Sequence, residues 1–467
     1  MLDGLTSITR DPANMRTNLL PAMMLVAALL SSRMVSAEWT QFRGPQGNGV
    51  CEDVKLPTRW SVGQNVAWSA SLPGVAWSQP VVWRDKIFVT SAITDDQQLP
   101  HAGESGPGFT LFSREGFSRA FLNGGEPPKA TYRWKVFCLD GATGRILWEQ
   151  TAREGRPSIP IHRSNTYASE TPVTDGHRLI AYFGMAGLFC YDLDGRLLWK
   201  KELGSYPTQY GWGTGSSPVL HGTQLFVQVD NEESSFLVAF DKETGDEAWR
   251  VERDERSNWS TPFIWTNGLR TELITAGGNK VRSYKPQTGQ LLWELNAHGR
   301  SATTPVADEE RLYVGSVTRS TGSSEELVAI RAGARGDISS QNGDDNSAIA
   351  WRVRAASPEL ASPLLYRGCL YTLKQQGGIV VCFDAETGRQ HYRLRLPGAK
   401  NFTASPWANQ ERVFCMDEAG QTFVLAAGPK SKLLATNKLD GMFWSSAAVV
   451  EDRLLLRGVE KLYCILH

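Results

Sequence analysis

The sequence predicts an all-β fold, an eight-bladed β-propeller of four-stranded antiparallel blades, and three observations lead to it: the composition, a repeated turn and a repeated strand start. The chain of 467 residues contains 16 Trp and 44 Gly. This composition is typical of repetitive β architectures, which use large aromatic side chains and many tight turns. Because one domain usually takes roughly 150 residues, the length suits about three domains or one large repetitive domain.

The first repeated element is a tight turn followed by an aromatic residue. At 138–148 it is Cys-Leu-Asp-Gly-Ala-Thr-Gly-Arg-Ile-Leu-Trp. The aspartate can accept hydrogen bonds from backbone N–H groups of the turn, and glycine adopts positive φ at little cost, so the element predicts a hairpin. Strong and weak copies end at Trp148, Trp199, Trp249, Trp293 and Tyr392.

The second repeated element is a Ser/Thr-Pro or Ser/Thr-x-Pro strand start. Most successive copies are 43 to 46 residues apart, and a degenerate eighth copy starts at Ser445. A unit of this length with four short strands, repeated about eight times, is typical of a β-propeller. The prolines are Pro80, Pro172, Pro218, Pro262, Pro305, Pro363 and Pro406.

The ring must also close. The last repeat ends at His467 without an aromatic strand, and we expect the strand around Asn65–Trp68 to complete it, which removes two open sheet edges. The repeated aromatic residues are predicted to pack between neighbouring blades rather than to bind a ligand. The seventh repeat has no clear aromatic equivalent around 426–434. The predicted packing residues are Trp68, Trp148, Trp199, Trp249, Trp293, Trp351 and Tyr392.

Three segments lie outside the repeats. Residues 1–37 are predicted to be a signal peptide, with Arg16, an apolar run at 19–30 and a cleavage site after Ala37. The apolar run is too short for a stable transmembrane span, so we expect a secreted or periplasmic domain at 38–467, with an uncleaved anchor as the alternative. Residues 93–133 and 331–347 are predicted to be inserted loops.

Charge and cysteine content exclude several functions. Lys+Arg and Asp+Glu both number 49, which argues against a cationic nucleic-acid-binding face and against a polybasic membrane tether. The seven cysteines include no Cys-x-x-Cys and no adjacent pair, so neither a zinc ribbon nor dithiol redox chemistry is predicted. Most of them lie in predicted strands, where a small buried apolar residue is needed.

With these repeats the chain resembles the PQQ-repeat propellers, over nearly all of the predicted mature domain. The segment 39–49 also looks like the start of a group of secreted bacterial members. The resemblance implies two functions: quinoprotein alcohol dehydrogenases, which hold PQQ and calcium over the propeller axis, and BamB-type assembly factors, which are lipoprotein scaffolds without a cofactor. The chain lacks the adjacent cysteines of the enzymes, and Glu38 stands where the scaffold would have a lipid-anchored cysteine. No catalytic or metal-binding residue is therefore predicted.

Candidate ligand-binding residues lie just before the strand starts, because these segments meet at one mouth of a propeller. Aromatic rings there would stack on a planar ring or a sugar, and arginines would bind carboxylates. The alternatives are gap-filling aromatics and solvated ion pairs. The inserted loop 93–133 is expected on the same face, as a lid or a surface loop. The candidates are Trp77, Arg163, Tyr167, Glu170, Trp212, Arg256, Asn258, Trp259, His298, Arg300 and Trp444.

These observations favour a non-catalytic binding or scaffold protein that uses its axial funnel and loops. Its partner would be a protein or a small planar or sugar ligand, with no nucleic acid. The first alternative is a quinone-dependent oxidoreductase that uses PQQ with calcium. The second is a carbohydrate-binding propeller.

Overall fold

A computed structural model describes the chain from Glu38 onward, except residues 53, 98, 100–125, 163, 297–298, 300–301, 317–325, 340–345, 355 and 357. The predicted signal peptide lies outside the described residues. The described part forms eight antiparallel blades arranged in a ring, so the predicted eight-bladed β-propeller is confirmed. Two short 3-10 turns occur at Gly184–Ala186 and Gln209–Gly211.

The first half of the ring contains blades 1 to 4. Blade 1 consists of β1 (Glu38–Trp39), β3 (Val81–Trp83), β4 (Lys86–Ile93), β5 (Tyr132–Asp140) and β6 (Ile146–Gly155). Blade 2 consists of β7 (Val173–Thr174), β8 (Arg178–Tyr182), β9 (Leu188–Asp192) and β10 (Leu197–Lys201), and blade 3 of β11 (Val219–His221), β12 (Gln224–Val229), β13 (Ser235–Asp241) and β14 (Glu247–Arg253). Blade 4 consists of β15 (Phe263–Thr266), β16 (Thr271–Ala276), β17 (Lys280–Tyr284), β18 (Leu291–Asn296) and β22 (Gly336–Asp337).

The second half contains blades 5 to 8. Blade 5 consists of β19 (Val306–Ala307), β20 (Arg311–Ser316), β21 (Glu326–Arg331) and β23 (Ile349–Arg354), and blade 6 of β24 (Leu364–Tyr366), β25 (Cys369–Lys374), β26 (Ile379–Asp384) and β27 (Gln390–Arg395). Blade 7 consists of β28 (Trp407–Asn409), β29 (Arg412–Met416), β30 (Gln421–Ala426) and β31 (Leu433–Lys438). Blade 8 consists of β32 (Ala448–Val450), β33 (Arg453–Arg457), β34 (Lys461–Ile465) and β2 (Val66–Ser71).

Burial differs between the strands of one blade, as the pattern of apolar residues requires. The two middle strands are covered on both sides by neighbouring blades, and β12 and β13 are accordingly buried along almost their whole length. The outer strand β14 alternates between exposed and covered positions until its last residue. None of the seven cysteines, all of which lie in the described part of the chain, forms a disulfide, and six are buried inside strands as predicted.

The repeated indoles join each blade to the next one. Trp148 Nε1 donates a hydrogen bond to Leu193 O of blade 2 at 3.1 Å, and Trp199 Nε1 donates to Lys242 O of blade 3 at 3.2 Å. The ring of Trp199 lies against the turn glycine Gly245, which has φ +72° and leaves room for no β-carbon. Equivalent bonds join Trp68 to Gly141, Trp249 to Pro286 and Trp351 to Ala385. The packing role is thus confirmed for these residues.

Trp293 departs from this pattern. Its ring belongs to the core shared by blades 4 and 5, but its Nε1 donates to Glu272 of its own blade at 2.7 Å. Blade 5 has no Thr-Gly turn to receive it, and Trp265 instead donates to Asp308 O of blade 5 at 2.7 Å. Part of the predicted loop 331–347 also differs from expectation, because β22 within it pairs in parallel with β18 as a fifth strand.

Blade 7 has no aromatic residue at the repeated position, as predicted, and a residue from another segment packs there. Ala435, opposite Val424, stands where other blades have an indole. Trp60, from the chain before β2, is buried there and stacks on Phe414 with ring centroids 6.3 Å apart. Tyr392 packs in the core between blades 6 and 7, although its buried hydroxyl has no hydrogen-bond partner within the described residues.

The ring closes through β2, which pairs with β34 so that Trp68 lies opposite Cys464. The expected closure by an N-terminal strand is therefore found. The first described strand, β1, lies elsewhere: it adds to the inner edge of blade 1, with Trp39 opposite Val82.

Hydroxyl groups of the strand starts link the blades around the axis. The N–H of Thr171 donates to Ser217 Oγ at 2.9 Å, and the N–H of Ser217 donates to Thr261 Oγ1 at 3.0 Å. The repeated Ser/Thr is thus explained, because its hydroxyl accepts a bond from the preceding blade while proline begins the strand. The same bond, at 3.0 Å, joins Gln79 to Thr171, Thr304 to Ser362, Ser362 to Ser405, and Ser405 to Ser446.

Residues 38–52 cross the space that the inner strands enclose, and we call them the axial plug. Thr40 O accepts from Thr174 of blade 2, and the Arg43 guanidinium donates to Pro363 O at 2.7 Å, next to blade 6. Cys51 N–H donates to Ala408 O of blade 7 at 3.0 Å. Gln79, where blade 1 lacks the hydroxyl, accepts from Arg43 N–H at 2.7 Å. The plug thus binds blade 1 at Gln79, where the strand start has an amide in place of the repeated hydroxyl.

Replacing Gly245 by Ala tests the indole contact. The new β-carbon would lie 2.8 Å from the Trp199 ring, and we expect such overpacking to lower the free energy of unfolding by about 1 to 3 kcal/mol. Urea titration followed by circular dichroism measures this change. Gly222→Ala is the matched control, because Gly222 also has positive φ, +59°, but no atom within 4 Å of the added carbon. An equal loss in both variants would contradict the contact.

Candidate functional site

The segments that lead into the inner strands form one face of the ring, which we call the loop face; the Asp-x-x-Thr-Gly turns form the opposite turn face. Four predicted aromatic residues on the loop face form two separate pairs. Trp77 and Trp444 lie with ring centroids 5.0 Å apart between blades 8 and 1, and Trp212 and Trp259 lie 5.3 Å apart near blades 3 and 4. The structure therefore brings them together as pairs and not as one aromatic funnel.

Two of the four indole nitrogens of these pairs bind backbone carbonyl groups, whereas Trp444 Nε1 is buried without a partner within the described residues. Trp77 Nε1 donates to Ser164 O at 2.9 Å, and Trp259 Nε1 donates to Gly213 O at 2.7 Å. All four rings are partly covered. The rings thus hold neighbouring loops in place, and much of each face is already in contact with protein.

Tyr167 and Arg256, two further predicted residues, lie in different environments. Tyr167 is 7% exposed, packs against Trp134, and donates its hydroxyl proton to Ile159 O at 2.8 Å, so it is a core residue. Arg256 lies at the rim, where its Nη1 is 3.2 Å from a carboxylate oxygen of Glu232. An exposed ion pair of this kind contributes little to stability. Arg163, His298 and Arg300 lie outside the described residues and stay predictions.

Glu170 is the buried acid of the loop face. It is 1% exposed and directly precedes Thr171 of the hydroxyl chain. Burial away from water raises the pKa of Glu170 from 4.5 to about 7, although a hydrogen bond from Thr214 and backbone N–H groups favour the charged form. Its Oε1 has no hydrogen-bond partner within the described residues. An unpaired buried acceptor is costly, which makes this position a candidate for ligand contact.

A small cavity lies next to Glu170 between blades 2 and 3, and we call it the blade 2–3 cavity. It encloses about 20 Å³, enough for about one water molecule. Thr214, which binds Glu170, and Tyr182, whose pKa the Glu170 charge raises further, both line it. The lining residues are Ile159, Tyr182, Gly184, Met185, Gly204, Tyr206, Thr208, Gly213, Thr214, Gly215, Ser216, Gln228, Val229, Asp230, Asn231 and Asn258.

The polar wall of the blade 2–3 cavity comes from the end of β12. Gln228 Nε2 donates to Asp230 Oδ2 at 2.7 Å and to Ala276 O at 3.0 Å. Since both partners are acceptors, the amide orientation is determined, and Gln228 Oε1 is left buried without a partner within the described residues. The predicted residue Asn258 also lines the cavity, and its amide donates to Ala276 O.

Asp230 differs from Glu170 because a cation compensates it. Arg253 binds both carboxylate oxygens of Asp230, with Nε 2.9 Å from Oδ1 and Nη2 3.2 Å from Oδ2. Both side chains are completely buried. Arg253 also donates to Thr275 Oγ1 and to the Tyr284 hydroxyl. Sequence reasoning missed Gln228, Asp230 and Arg253, although the polar end Gln-Val-Asp-Asn of an apolar strand is a visible signal.

The blade 2–3 cavity does not fit PQQ with calcium. Within the described ranges, no group of three or more His, Cys, Asp or Glu side chains could hold a metal ion. The unpaired buried atoms at the cavity are the acceptors Glu170 Oε1 and Gln228 Oε1, whereas a quinone that carries carboxylates needs hydrogen-bond donors. We therefore derive no step through this cofactor.

Glu170→Gln tests the burial of the acid. Because the pKa of Glu170 is about 7 in the fold and 4.5 ordinarily, the folded chain holds the proton more tightly. Its contribution to stability is present below pH 4.5 and is lost as the pH rises to about 7, by about 3 kcal/mol. We expect Glu170→Gln to remove this loss, so that the variant is more stable than the parent above pH 7. Urea midpoints across this range measure it.

The exposed Glu309→Gln is the matched control for that charge change. It should leave the pH dependence of the parent unchanged. Parallel pH profiles of the parent and Glu170→Gln would show that the carboxyl group ionises in the fold as it does in water.

Comparisons with known proteins agree with this architecture. The structure is similar to BamB from Moraxella catarrhalis, with TM-score 0.50 and 14% identity over 73% of this chain and 95% of that one. It is also similar to a europium-containing methanol dehydrogenase, with TM-score 0.56 and 12% identity over 91% of this chain and 90% of that one. At these identities the likeness concerns the fold alone, and no curated protein matches the sequence.

A family model matches residues 65–231, 133–336 and 334–442, which together cover most of the chain. Its description is "Outer membrane protein assembly factor BamB". The chain belongs to this family of PQQ-repeat β-propellers.

Proposed function

We propose that this protein is a non-catalytic scaffold of the cell envelope that holds a protein partner on its loop face. The observation that carries the proposal is the axial plug, which crosses the space between the inner strands and binds several of them. The family description, an assembly factor, supports a protein partner. A ring whose axis is crossed in this way presents its two faces and its outer rim to other molecules.

The axial plug satisfies several inner edges of the ring. Trp39 pairs with Val82 of blade 1, and Val50 bridges Ala408 of blade 7. Arg43 is 1% exposed and binds Pro363 O beside blade 6. These contacts use backbone groups that would otherwise line an open channel. A ligand that needed the channel itself would have to displace this segment.

The loop face carries the features that protein interfaces favour. Its connections are long and irregular, whereas the turn face consists mainly of tight hairpins, and binding residues usually lie on loops held by a rigid scaffold. Tyr210, Trp212 and Arg256 lie there, and Tyr, Trp and Arg dominate binding energy at interfaces. Tyr210 is 38% exposed and has φ +52°, a strained conformation for a residue other than glycine.

The proposal places the protein outside the cytoplasm, as its family description and the predicted signal peptide suggest. Within the described residues, no helix is both long enough and apolar enough to cross a bilayer. The two other functions have weaker support. The blade 2–3 cavity does not fit PQQ with calcium, no described group of three or more His, Cys, Asp or Glu side chains could hold a metal ion, and the tryptophan pairs that would stack on a sugar already contact each other.

Photo-crosslinking tests the proposed face. A benzophenone amino acid replaces Tyr210 on the loop face, and the same amino acid replaces Leu433 beside the turn face as the control. The two side chains are matched in exposure, at 38% and 40%. We expect irradiation of cells that carry the full chain to give a discrete adduct at Tyr210 but not at Leu433, because the partner covers only the loop face. Mass spectrometry of the adduct identifies the partner.

Untagged protein in excess should suppress this adduct. Adducts of equal yield at both positions, or no adduct at Tyr210 and at a second loop-face position, Arg256, would contradict the proposal.

Purified protein is also titrated with PQQ and calcium. Saturable binding of PQQ, together with oxidation of an alcohol that reduces a dye acceptor, would contradict the scaffold function and show that the protein is a quinoprotein.

A further inference from the structure

We infer that the blade 2–3 cavity receives the ammonium group of a lysine side chain of the partner protein. The inference rests on the proposed function and names the contact that anchors the partner. It follows from the kind of hydrogen-bonding atom left unpaired at the cavity, from the charge around it and from its shape.

The unpaired atoms are all acceptors. Gln228 lines the cavity, is 2% exposed, and keeps Oε1 without a partner because its amide nitrogen is committed to Asp230 and Ala276. Glu170 does not line the cavity but is hydrogen-bonded to the lining residue Thr214, and its Oε1 is likewise unpaired within the described residues. Unsatisfied buried acceptors call for a ligand that only donates, and an ammonium group has three donors and no acceptor.

The charge also favours a cation. Among the described residues that line the cavity there is no Lys, Arg or His. Asp230 lines it, but Arg253 already neutralises this carboxylate through two hydrogen bonds. Glu170, by contrast, has no cationic partner in the described part of the chain, and its pKa is raised to about 7 by burial. A cation beside Thr214 would favour the charged carboxylate, so binding and ionisation of Glu170 would support each other.

The shape suits an unbranched side chain with a small head. The cavity has room for about one water-sized group, and an ammonium group is of this size. Ile159, Met185 and Val229 give part of the wall an apolar surface. The four methylene groups of lysine can cover such a surface while the charged end reaches polar atoms. Tyr182 and Tyr206 also line the cavity, and aromatic rings attract cations.

A water molecule is the alternative occupant. It would donate to Gln228 Oε1, the unpaired acceptor of a residue that lines the cavity. It would leave the charge of Glu170 uncompensated. The two occupants therefore differ in whether a soluble amine changes the protein.

The test titrates the full chain with Nα-acetyl-lysine methylamide and follows its thermal midpoint and tryptophan fluorescence. We expect a saturable rise in the midpoint, a smaller rise with methylammonium, and none with the Nε-acetylated probe, which lacks the charge. Tetramethylammonium, a cation without hydrogen-bond donors, should also leave the thermal midpoint unchanged. Glu170→Gln should weaken lysine-probe binding about tenfold or more, because it removes a charged acceptor. The exposed Glu309→Gln serves as the matched control and should bind like the parent.

Gln228→Met, which keeps the side-chain volume, should weaken binding of the lysine probe in the same way. Circular dichroism checks that both variants fold. No saturable response to the lysine probe, or an equal response to its Nε-acetylated form, would overturn the inference and leave water as the occupant. A response to methylammonium equal to that of the lysine probe would assign the site to a free amine instead of a partner side chain. The crosslinking at Tyr210 reports separately on the scaffold, so failure of one experiment does not decide the other.

Discussion

The hydrogen bond from an outer-strand indole to the turn of the following blade is the interaction on which the ring depends. In a repeat protein each unit contacts mainly its neighbours, so stability comes from the interfaces between units. Trp148 and Trp199 show the basic contact, an indole N–H on a backbone carbonyl with the ring against a glycine. Where the turn or the indole is missing, Trp265 or Trp60 from another segment contributes its ring. The packing of an aromatic ring is therefore retained where the repeat is not, although Trp60 Nε1 has no hydrogen-bond partner within the described residues.

Because each blade contacts mainly its two neighbours, the first and last blades need contacts of their own to close the ring. This chain has such contacts at three distances from the axis. At the rim, β2 completes blade 8. Nearer the axis, Gln79 has an amide where other blades have a hydroxyl, and its Nε2 donates to Ala447 O beside blade 8. At the axis, Arg43 N–H donates to that amide. Gln79, which interrupts the repeated Ser/Thr, thus also binds the plug. The closed ring has its polar, irregular surface on the loop face.

The parts of this structure that could be predicted from the sequence depend on short-range patterns. The turn of 138–148 and the Ser/Thr-Pro starts determine blade number and closure, because their hydrogen bonds repeat at fixed spacing. Trp77 and Tyr167 looked alike before a strand start, yet one lies at the face and the other in the core. The contact of Arg43 with Pro363 joins residues 320 positions apart, and no local pattern encodes it. Gln228 was missed because its importance depends on which atoms remain unpaired after folding.

The contrast between Asp230 and Glu170 links the fold to the proposed site. Both acids are buried beside one cavity, but the chain places Arg253 against Asp230 and no cation, within its described part, against Glu170. Burying an uncompensated carboxyl group destabilises the folded state. The sequence could relieve this cost with an amide or an apolar side chain, as it does at most buried positions. An acid that has no counterion in the described part of the chain, and that Thr214 links to a cavity lined by Gln228 with its unpaired amide oxygen, is what a binding site for a cation requires, because the counterion then arrives with the ligand.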